Sequence, residues 1–194
     1  FSLRLPPTSG GMERQTLIQS LELQKYEKTA VYSVSADPSQ ITGLKCLYCT
    51  REYSGIASKE INAVSIIFRA ILSKEFWSSE IIYIHQFNIL AWLLILICRW
   101  RNVKIFCKIA NTGIKFDLKI FFDRYSILRF TTKLLQAKKI KFLILSPCAR
   151  KEFKQYGVSD SQIVNFRNGV VVKREFGGRR PSTNKVLFVG RIEP

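Results

Sequence analysis

Residues 80–109 read EIIYIHQFNILAWLLILICRWRNVKIFCKI, and the class of fold is predicted from this segment. Glu80–His85 is an almost uninterrupted apolar run, typical of a strand that is buried on both faces of a sheet. Phe87–Trp100 has the length and apolar character of a buried helix, and Val103–Ile109 is a second apolar strand. Strand, helix and strand in this order predict a βαβ unit with parallel strands.

The same alternation continues on both sides of this unit. Further strands are predicted at Phe1–Leu5, Thr29–Val34, Leu44–Thr50, Phe142–Leu145 and Ile163–Phe166, and further helices from Met12 onward and at Ile56–Ser73, Leu118–Lys138 and Ala149–Tyr156. Gly157 stands where a helix C-cap glycine belongs. The order predicts an α/β domain over residues 1–172, with a Rossmann-like, mostly parallel sheet and helices on both of its faces.

Two of the helices show a clear apolar stripe. In Ile56–Ser73 the stripe recurs at spacings of three and four, and we expect it to face the core. We expect the same of the stripe in Leu118–Lys138. The inward residues are thus predicted to be Ile61, Val64, Phe68 and Ile71 in the first helix, and Leu118, Phe121, Phe122, Tyr125 and Leu128 in the second.

Polar residues follow several predicted strands, at the sheet edge where parallel α/β folds bind ligands. His85 ends the first strand of the quoted stretch, and it is either a catalytic residue or a structural one. Asn111 follows the next strand, and it either hydrogen-bonds a ligand or forms the turn before Thr112 and Gly113. Asn168 either faces the same cleft or makes an interdomain turn with the glycine that follows it.

The composition changes near the end of the sequence. Residues 173–184 read KREFGGRRPSTN, a polar, basic stretch rich in glycine and proline that is typical of a linker. Residues 185–194, KVLFVGRIEP, begin as a fresh strand. Because one strand cannot form a domain, we expect it to be the first strand of a truncated second domain.

The charge is concentrated in one half of the sequence. Residues 1–98 hold nine Lys/Arg and eight Asp/Glu, whereas residues 99–194 hold 22 and six, and the formal net charge is +17. Such a field attracts polyanions, which include nucleic acid, anionic lipid and phosphorylated sugars. The charge alone does not choose among these classes.

The cysteines favour free thiols. The sequence has five, an odd number, and no secretory leader is visible, which indicates a reducing compartment. Cys46 and Cys49 form a C-x-x-C, but no second pair lies at zinc spacing and the only histidine is His85. We therefore interpret these two cysteines as part of a strand and predict no metal site. The charge-free run Ile89–Cys98 is ten residues long, well short of the roughly 20 that span a bilayer.

Four segments together resemble the family-4 retaining glycosyltransferases of the GT-B fold. They are PPTSGGMERQ at 6–15, EIIYIHQF at 80–87, LILSPCARKEFKQYGVSDSQIVNFRNGV at 143–170 and KVLFVGRIEP at 185–194. Each is weak alone, but their order and spacing are specific. The resemblance implies the N-terminal, acceptor-side half of a GT-B fold, followed by a linker and the first strand of the donor-binding half.

The resemblance also implies a function. It is the metal-independent and cofactor-free transfer of a hexosyl group from a nucleotide-diphosphate sugar to a glycan or lipid-linked acceptor in cell-surface polysaccharide biosynthesis. The expected location is cytoplasmic and peripheral on the inner face of an anionic membrane, with no nucleic acid partner. The cations expected to lie at that membrane are Lys133, Lys138, Lys139, Lys141, Arg150, Lys151 and Lys154. The alternative is that they form a solvated basic surface.

The family's donor-binding positions fall on four residues. Gly10 and Gly11 would let the backbone approach the diphosphate at a helix N-terminus, or they form a plain strand-to-helix turn. Glu13 either orients that loop or simply favours the helix start. Arg191 matches the family's diphosphate-binding arginine, and the alternative is an exposed arginine after a strand. Asn111 marks a departure, since many members carry a histidine in that loop.

Three other interpretations compete with this one. A basic nucleic-acid-binding protein fits the charge, but no helix-turn-helix, zinc-finger or RNA-recognition signature is present. A dinucleotide-binding Rossmann enzyme requires G-x-G-x-x-G after the first strand, and the sequence has only an adjacent Gly-Gly there. A non-catalytic remnant of a glycosyltransferase fits the truncation. In that case, as for the fragment of an intact enzyme, residues 1–194 alone are expected to be inactive.

Overall fold

The computed structural model describes residues 1–2, 11–35, 41–51, 53 and 57–167. The predicted linker at 173–184, the strand at 185–194 and the candidate residues Gly10, Asn168 and Arg191 lie outside them.

The described chain alternates between strands and helices. The strands are β1 (Val31–Ser35), β2 (Leu47–Arg51), β3 (Ile81–Ile84), β4 (Lys104–Ile109), β5 (Ile140–Ile144) and β6 (Ile163–Asn165). The α-helices are α1 (Gly11–Leu23), α2 (Ser58–Ile71), α3 (Lys74–Ser78), α4 (Ile89–Ile97), α5 (Asp117–Arg124) and α6 (Ala149–Lys154). Short 3-10 helices cover Cys98–Trp100, Gly113–Lys115, Ser126–Gln136 and Asp160–Gln162.

The strands are parallel, and the fold is α/β and Rossmann-like, as predicted. β1 pairs with β2, and β3, β4, β5 and β6 form a four-stranded sheet in that order. Register is regular, with Ile81 opposite Lys104 and Ile105 opposite Ile140. Helices flank this sheet, and their apolar side chains share one core with it.

Phe1–Ser2 joins the two groups of strands. The Phe1 carbonyl accepts the His85 amide at 3.1 Å, and the Phe1 nitrogen donates to the Tyr83 carbonyl at 2.7 Å. On the other side, the Ser2 amide donates to the Tyr32 carbonyl at 3.1 Å. The spatial order is therefore β2, β1, Phe1–Ser2, β3, β4, β5, β6.

This order contains a topological switch point. From Phe1–Ser2 the chain proceeds to β1 and β2 on one side, and it then returns to build β3 to β6 on the other. In doubly wound sheets, the carboxyl ends of the two strands that flank such a reversal form the ligand crevice. Here the positions on either side of the reversal are taken by the segment Phe1–Ser2 and by β3, and among the strand-end candidates it is His85 that follows β3.

Helix α4 forms where the apolar run predicted it. Asn88 caps it, since its side-chain oxygen accepts the amides of Leu90 at 3.0 Å and Ala91 at 3.3 Å. The expected C-cap at Gly157 is also present, with φ +68°.

The predicted inward stripe of α2 is wrong. Ile61, Val64, Phe68 and Ile71 are exposed, and the opposite face is buried instead. That buried face carries Asn62, Ala63, Ile66, Ile67 and Ala70. Its small alanines let the helix backbone approach β1, β2 and α4, with which α2 is in contact.

The predicted long helix Leu118–Lys138 is also wrong in its second half. Helix α5 ends at Arg124, and a 3-10 helix takes over from Ser126. Tyr125 leaves the helical conformation, with φ −117° and ψ 60°, and its hydroxyl donates to Glu60 at the start of α2. Further on, the Thr131 hydroxyl bonds the Leu128 carbonyl at 2.6 Å, a local bond that competes with the α-helical pattern.

Candidate functional site

The candidate site lies at the carboxyl ends of β3 and β4. His85 directly follows β3, and Asn111 follows β4 by two residues. Because the strands are adjacent and parallel, both residues leave the sheet at the same edge. The structure thus brings these two predicted site residues to one edge of the sheet.

His85 is sealed into the structure. It is only 4% exposed, and its ring packs edge-on against Tyr83 with centroids 4.6 Å apart. Nδ1 is buried, and no hydrogen-bond partner for it lies within the described residues. Burial lowers the pKa of His85 to about 2, and the charges of the Phe1 amino group and of Lys108 add to that shift. The imidazole is therefore neutral at physiological pH.

Asn111 is held by a residue that the sequence did not single out. The Asp117 carboxylate accepts the Asn111 side-chain amide at 2.7 Å and the Ala110 backbone amide at 2.8 Å. It also accepts the Gln86 amide at 3.5 Å, so it links the loop after β4 to the loop after β3. Burial raises the pKa of Asp117, and the bond from Asn111 opposes that rise. An Asp at the start of a helix was the only signal available for it.

A second carboxylate fixes the far end of the same loop. Glu152 in α6 accepts the Gly113 amide at 2.7 Å. Gly113 has φ +68°, a left-handed conformation that favours glycine. The loop from Ala110 to Gly113 is therefore fastened at both ends, and the half-buried Asn111 side chain is oriented between the two anchors.

The predicted donor-side residues are described only in part. Gly11 is the first residue of α1, and Glu13 falls in its first turn, so the predicted helix start is confirmed. Helix α1 is tied to β3 through the Tyr83 hydroxyl, which lies 3.5 Å from Oε1 of Gln19. Gly10, Asn168 and Arg191 fall outside the described ranges.

Some of the cations predicted to face a membrane are bound within the fold. The Lys139 ammonium donates to three carbonyls, those of Cys98 at 2.5 Å and of Arg99 and Arg101 at 2.7 Å. Lys141 donates to the Ser161 carbonyl at 2.7 Å. These two lysines connect β5 to its neighbouring turns, so their role is structural.

His85 and Asn111 themselves offer hydrogen-bonding groups rather than charge. A neutral imidazole and an oriented carboxamide are suited to hydroxyl groups of a polar substrate. Among the described residues, no cluster of three or more His, Cys, Asp or Glu could hold a metal ion, and all five cysteines are free thiols.

We compared the chain with protein-family models, with curated proteins and with solved structures, and none of the three comparisons found a match.

Proposed function

We propose that this chain is the acceptor-side lobe of a retaining GT-B glycosyltransferase, which transfers a hexosyl group from a nucleotide-diphosphate sugar to a glycan or lipid-linked acceptor in cell-surface polysaccharide biosynthesis. The observation that carries the proposal is the switch point of the sheet. There Phe1–Ser2, which precedes the Gly10-Gly11 sequence and α1, lies directly beside β3 and its terminal His85. In doubly wound folds this is the position of the ligand crevice.

On the donor side, the chemistry requires stabilisation of a diphosphate leaving group. Backbone amides at Gly10 and Gly11, the N-terminus of α1 and the guanidinium of Arg191 would supply positive potential where that charge develops. In this proposal Glu13 orients the glycine loop and Asn168 lies at the boundary of the two lobes. None of these groups requires a metal ion or a cofactor.

On the acceptor side, Asn111 would contact sugar hydroxyls, and His85 would line the same edge of the sheet from its buried position. A histidine whose pKa is about 2 is neutral at pH 7, so it would not supply a proton as imidazolium. Asn111 would present its amide with the orientation that Asp117 fixes. Retention of this geometry before substrate arrives would lower the entropic cost of binding.

The proposal places the protein in the cytoplasm, in peripheral contact with the inner face of a membrane, where a lipid-linked acceptor would be reached. No helix among the described residues is long and apolar enough to cross a bilayer.

The test is a panel of nucleotide-diphosphate sugars, with release of the nucleoside diphosphate as the readout. A protein that carries a complete second domain should turn over at least one of them, and residues 1–194 alone should not. In the two-domain protein, Arg191→Ala should lower kcat/KM at least about 100-fold, as expected for lost stabilisation of leaving-group charge. Asn111→Ala should lower it about tenfold, the size of one substrate hydrogen bond.

Asn102→Ala is the matched control. Asn102 is exposed and precedes β4, at the opposite edge of the sheet from Asn111, and its loss should leave turnover unchanged. Brisk transfer by residues 1–194, or full activity of Arg191→Ala, would contradict the proposal.

A further inference from the structure

A continuous exposed apolar surface runs along one face of α2. Ile61, Val64, Phe68 and Ile71 recur at spacings of three and four, which places them on one face of the helix. Phe68 is 65% exposed, and Leu72, the residue after the helix, is 70% exposed. Large apolar side chains that are grouped in this way, rather than scattered, indicate an interaction surface.

Trp77 extends this surface beyond the end of the helix. Its indole nitrogen donates to the Ile71 carbonyl at 2.6 Å, which brings the half-exposed ring against the last turn of α2. The Arg101 guanidinium lies 5.2 Å from the centroid of that ring and donates to the Trp77 carbonyl at 3.0 Å. Trp100, the neighbour of Arg101 in the chain, is 84% exposed. We call the stripe of α2 with Leu72 and Trp77 the α2 surface.

Exposed cations neighbour the α2 surface along the chain. Arg69 lies in α2, Lys74 follows Leu72 by two residues, and Arg99 precedes Trp100, and all three are exposed. Two acidic residues on the same elements are already engaged. Glu60 binds Arg124 at 2.8 Å, and Glu75 accepts the Tyr48 hydroxyl at 2.6 Å. A neutral hydroxyl does not cancel the charge of Glu75, but the exposed cations Arg69, Lys74 and Arg99 outnumber it, so the rim of this apolar surface carries a net positive charge.

We propose that the α2 surface docks onto a lipid bilayer with anionic head groups. Aliphatic and aromatic side chains on one helix face, flanked by Lys and Arg, are the features by which a helix lies in the membrane interface. Indole rings with one polar edge suit the head-group region, and each cation near an anionic surface adds electrostatic attraction to it.

The cations decide between a bilayer and a second copy of this chain. A symmetric pairing of two α2 surfaces would bring Arg69 and Lys74 of both copies to the same interface, in a protein whose net charge is +17. Like charges at an interface disfavour association. An anionic bilayer receives the apolar stripe and the cations together.

This inference deepens the membrane contact included in the proposed function, and it assigns that contact to different residues. It does not rest on glycosyl transfer, because no residue of the α2 surface belongs to the candidate site. Binding to vesicles and turnover of nucleotide sugars are therefore measured separately, and one can fail while the other stands.

The experiment is co-sedimentation of the 194-residue chain with vesicles of phosphatidylcholine, with and without phosphatidylglycerol. The chain should bind the anionic vesicles and release them in high salt. The double variant Val64→Ser/Phe68→Ser should weaken binding at least about tenfold, because it removes two exposed apolar side chains that would enter the interface. Arg69→Gln/Lys74→Gln should weaken binding and reduce its dependence on salt.

The matched control is Ile127→Ser/Phe130→Ser. Both residues are more than three-quarters exposed, at 77% and 76%, but they lie on the 3-10 helix that follows α5. This control should bind vesicles like the unmodified chain. Equal losses in the two apolar variants, unchanged binding of the α2 variant, or a dimer in lipid-free solution that the α2 variant abolishes would each overturn the proposal.

Discussion

The loop after β3 and the loop after β4 leave the same edge of the sheet, but their polar side chains differ in burial and in hydrogen bonding. His85 is sealed beneath the edge, with a buried Nδ1 that lacks a described partner. Asn111 stays half-buried, and a buried carboxylate orients its amide. The difference shows that a position at the end of a strand does not by itself make a side chain reactive. The surroundings decide whether the side chain is buried and neutral or is oriented to contact a ligand.

The contrast between the two loops depends mainly on Asp117, because this residue orients Asn111. Asp117→Ala would leave the Ala110 amide and the Asn111 and Gln86 side chains without this acceptor at a buried position. Loss of a buried, charged hydrogen-bond acceptor should lower the free energy of unfolding by about 3 kcal/mol. Urea denaturation followed by circular dichroism measures it.

The control for this variant is Asp123→Ala. Asp123 is an exposed aspartate whose carboxylate pairs with Arg129 at 2.7 Å. Exposed pairs contribute at most about 1 kcal/mol, so this variant should unfold almost like the unmodified protein. If the two variants lost equal stability, Asp117 would not anchor the loop after β4.

The second prediction concerns the loop after β3 and the pH. The pKa of His85 is lowered to about 2 in the folded state, so above that pH the folded state does not take up this proton. The unfolded chain binds it below about pH 6.5, and the stability contributed by the neutral imidazole is therefore lost as the pH falls. Between pH 7 and pH 5 the free energy of unfolding should drop by about 2 kcal/mol from this group.

Because His85 is the only histidine in the sequence, the histidine ring signals can be assigned to it without ambiguity. Its ring proton signals should not shift between pH 7 and pH 4 in an NMR titration. His85→Gln should show a flatter dependence of stability on pH over the same range. A titration midpoint near the ordinary value for histidine would mean that His85 is accessible to solvent and could serve as a proton donor.

The two loops also differ in what the sequence could predict. Strand periodicity located both strand ends, so it found His85 and Asn111 by position. It could not find Asp117, because the bond of this residue to Gln86 depends on how two loops meet at one edge of the sheet. A hydrogen bond between residues 31 apart in the sequence leaves no local pattern.

Helices α2 and α5 show the limit of periodicity in another way. In α5 the predicted inward residues Leu118, Phe121 and Phe122 are buried. In α2 the stripe of large residues faces outward, because the other face offers Ala63 and Ala70 together with isoleucines. Small residues permit close packing of the helix on the sheet. The size of the residues in an apolar stripe does not show whether the opposite face of the helix packs more closely. Periodicity therefore identified the apolar stripes of both helices, but it predicted the direction in which the stripe faces correctly only for α5.

The smallest expected effect concerns the backbone of the loop after β4. Gly113 and Gly157 share φ +68°, but an added Cβ at Gly113 would meet nothing within 4 Å, whereas at Gly157 it would lie 2.3 Å from the Gln136 amide nitrogen. Gly113→Ala should therefore cost about 1 kcal/mol from the left-handed conformation alone. Gly157→Ala should cost slightly more, since the exposed Gln136 side chain can move aside. Thermal unfolding of the two variants separates these contributions. A larger loss in Gly113→Ala than in Gly157→Ala would show that the loop between the Asp117 and Glu152 anchors is more tightly packed than its open surroundings indicate.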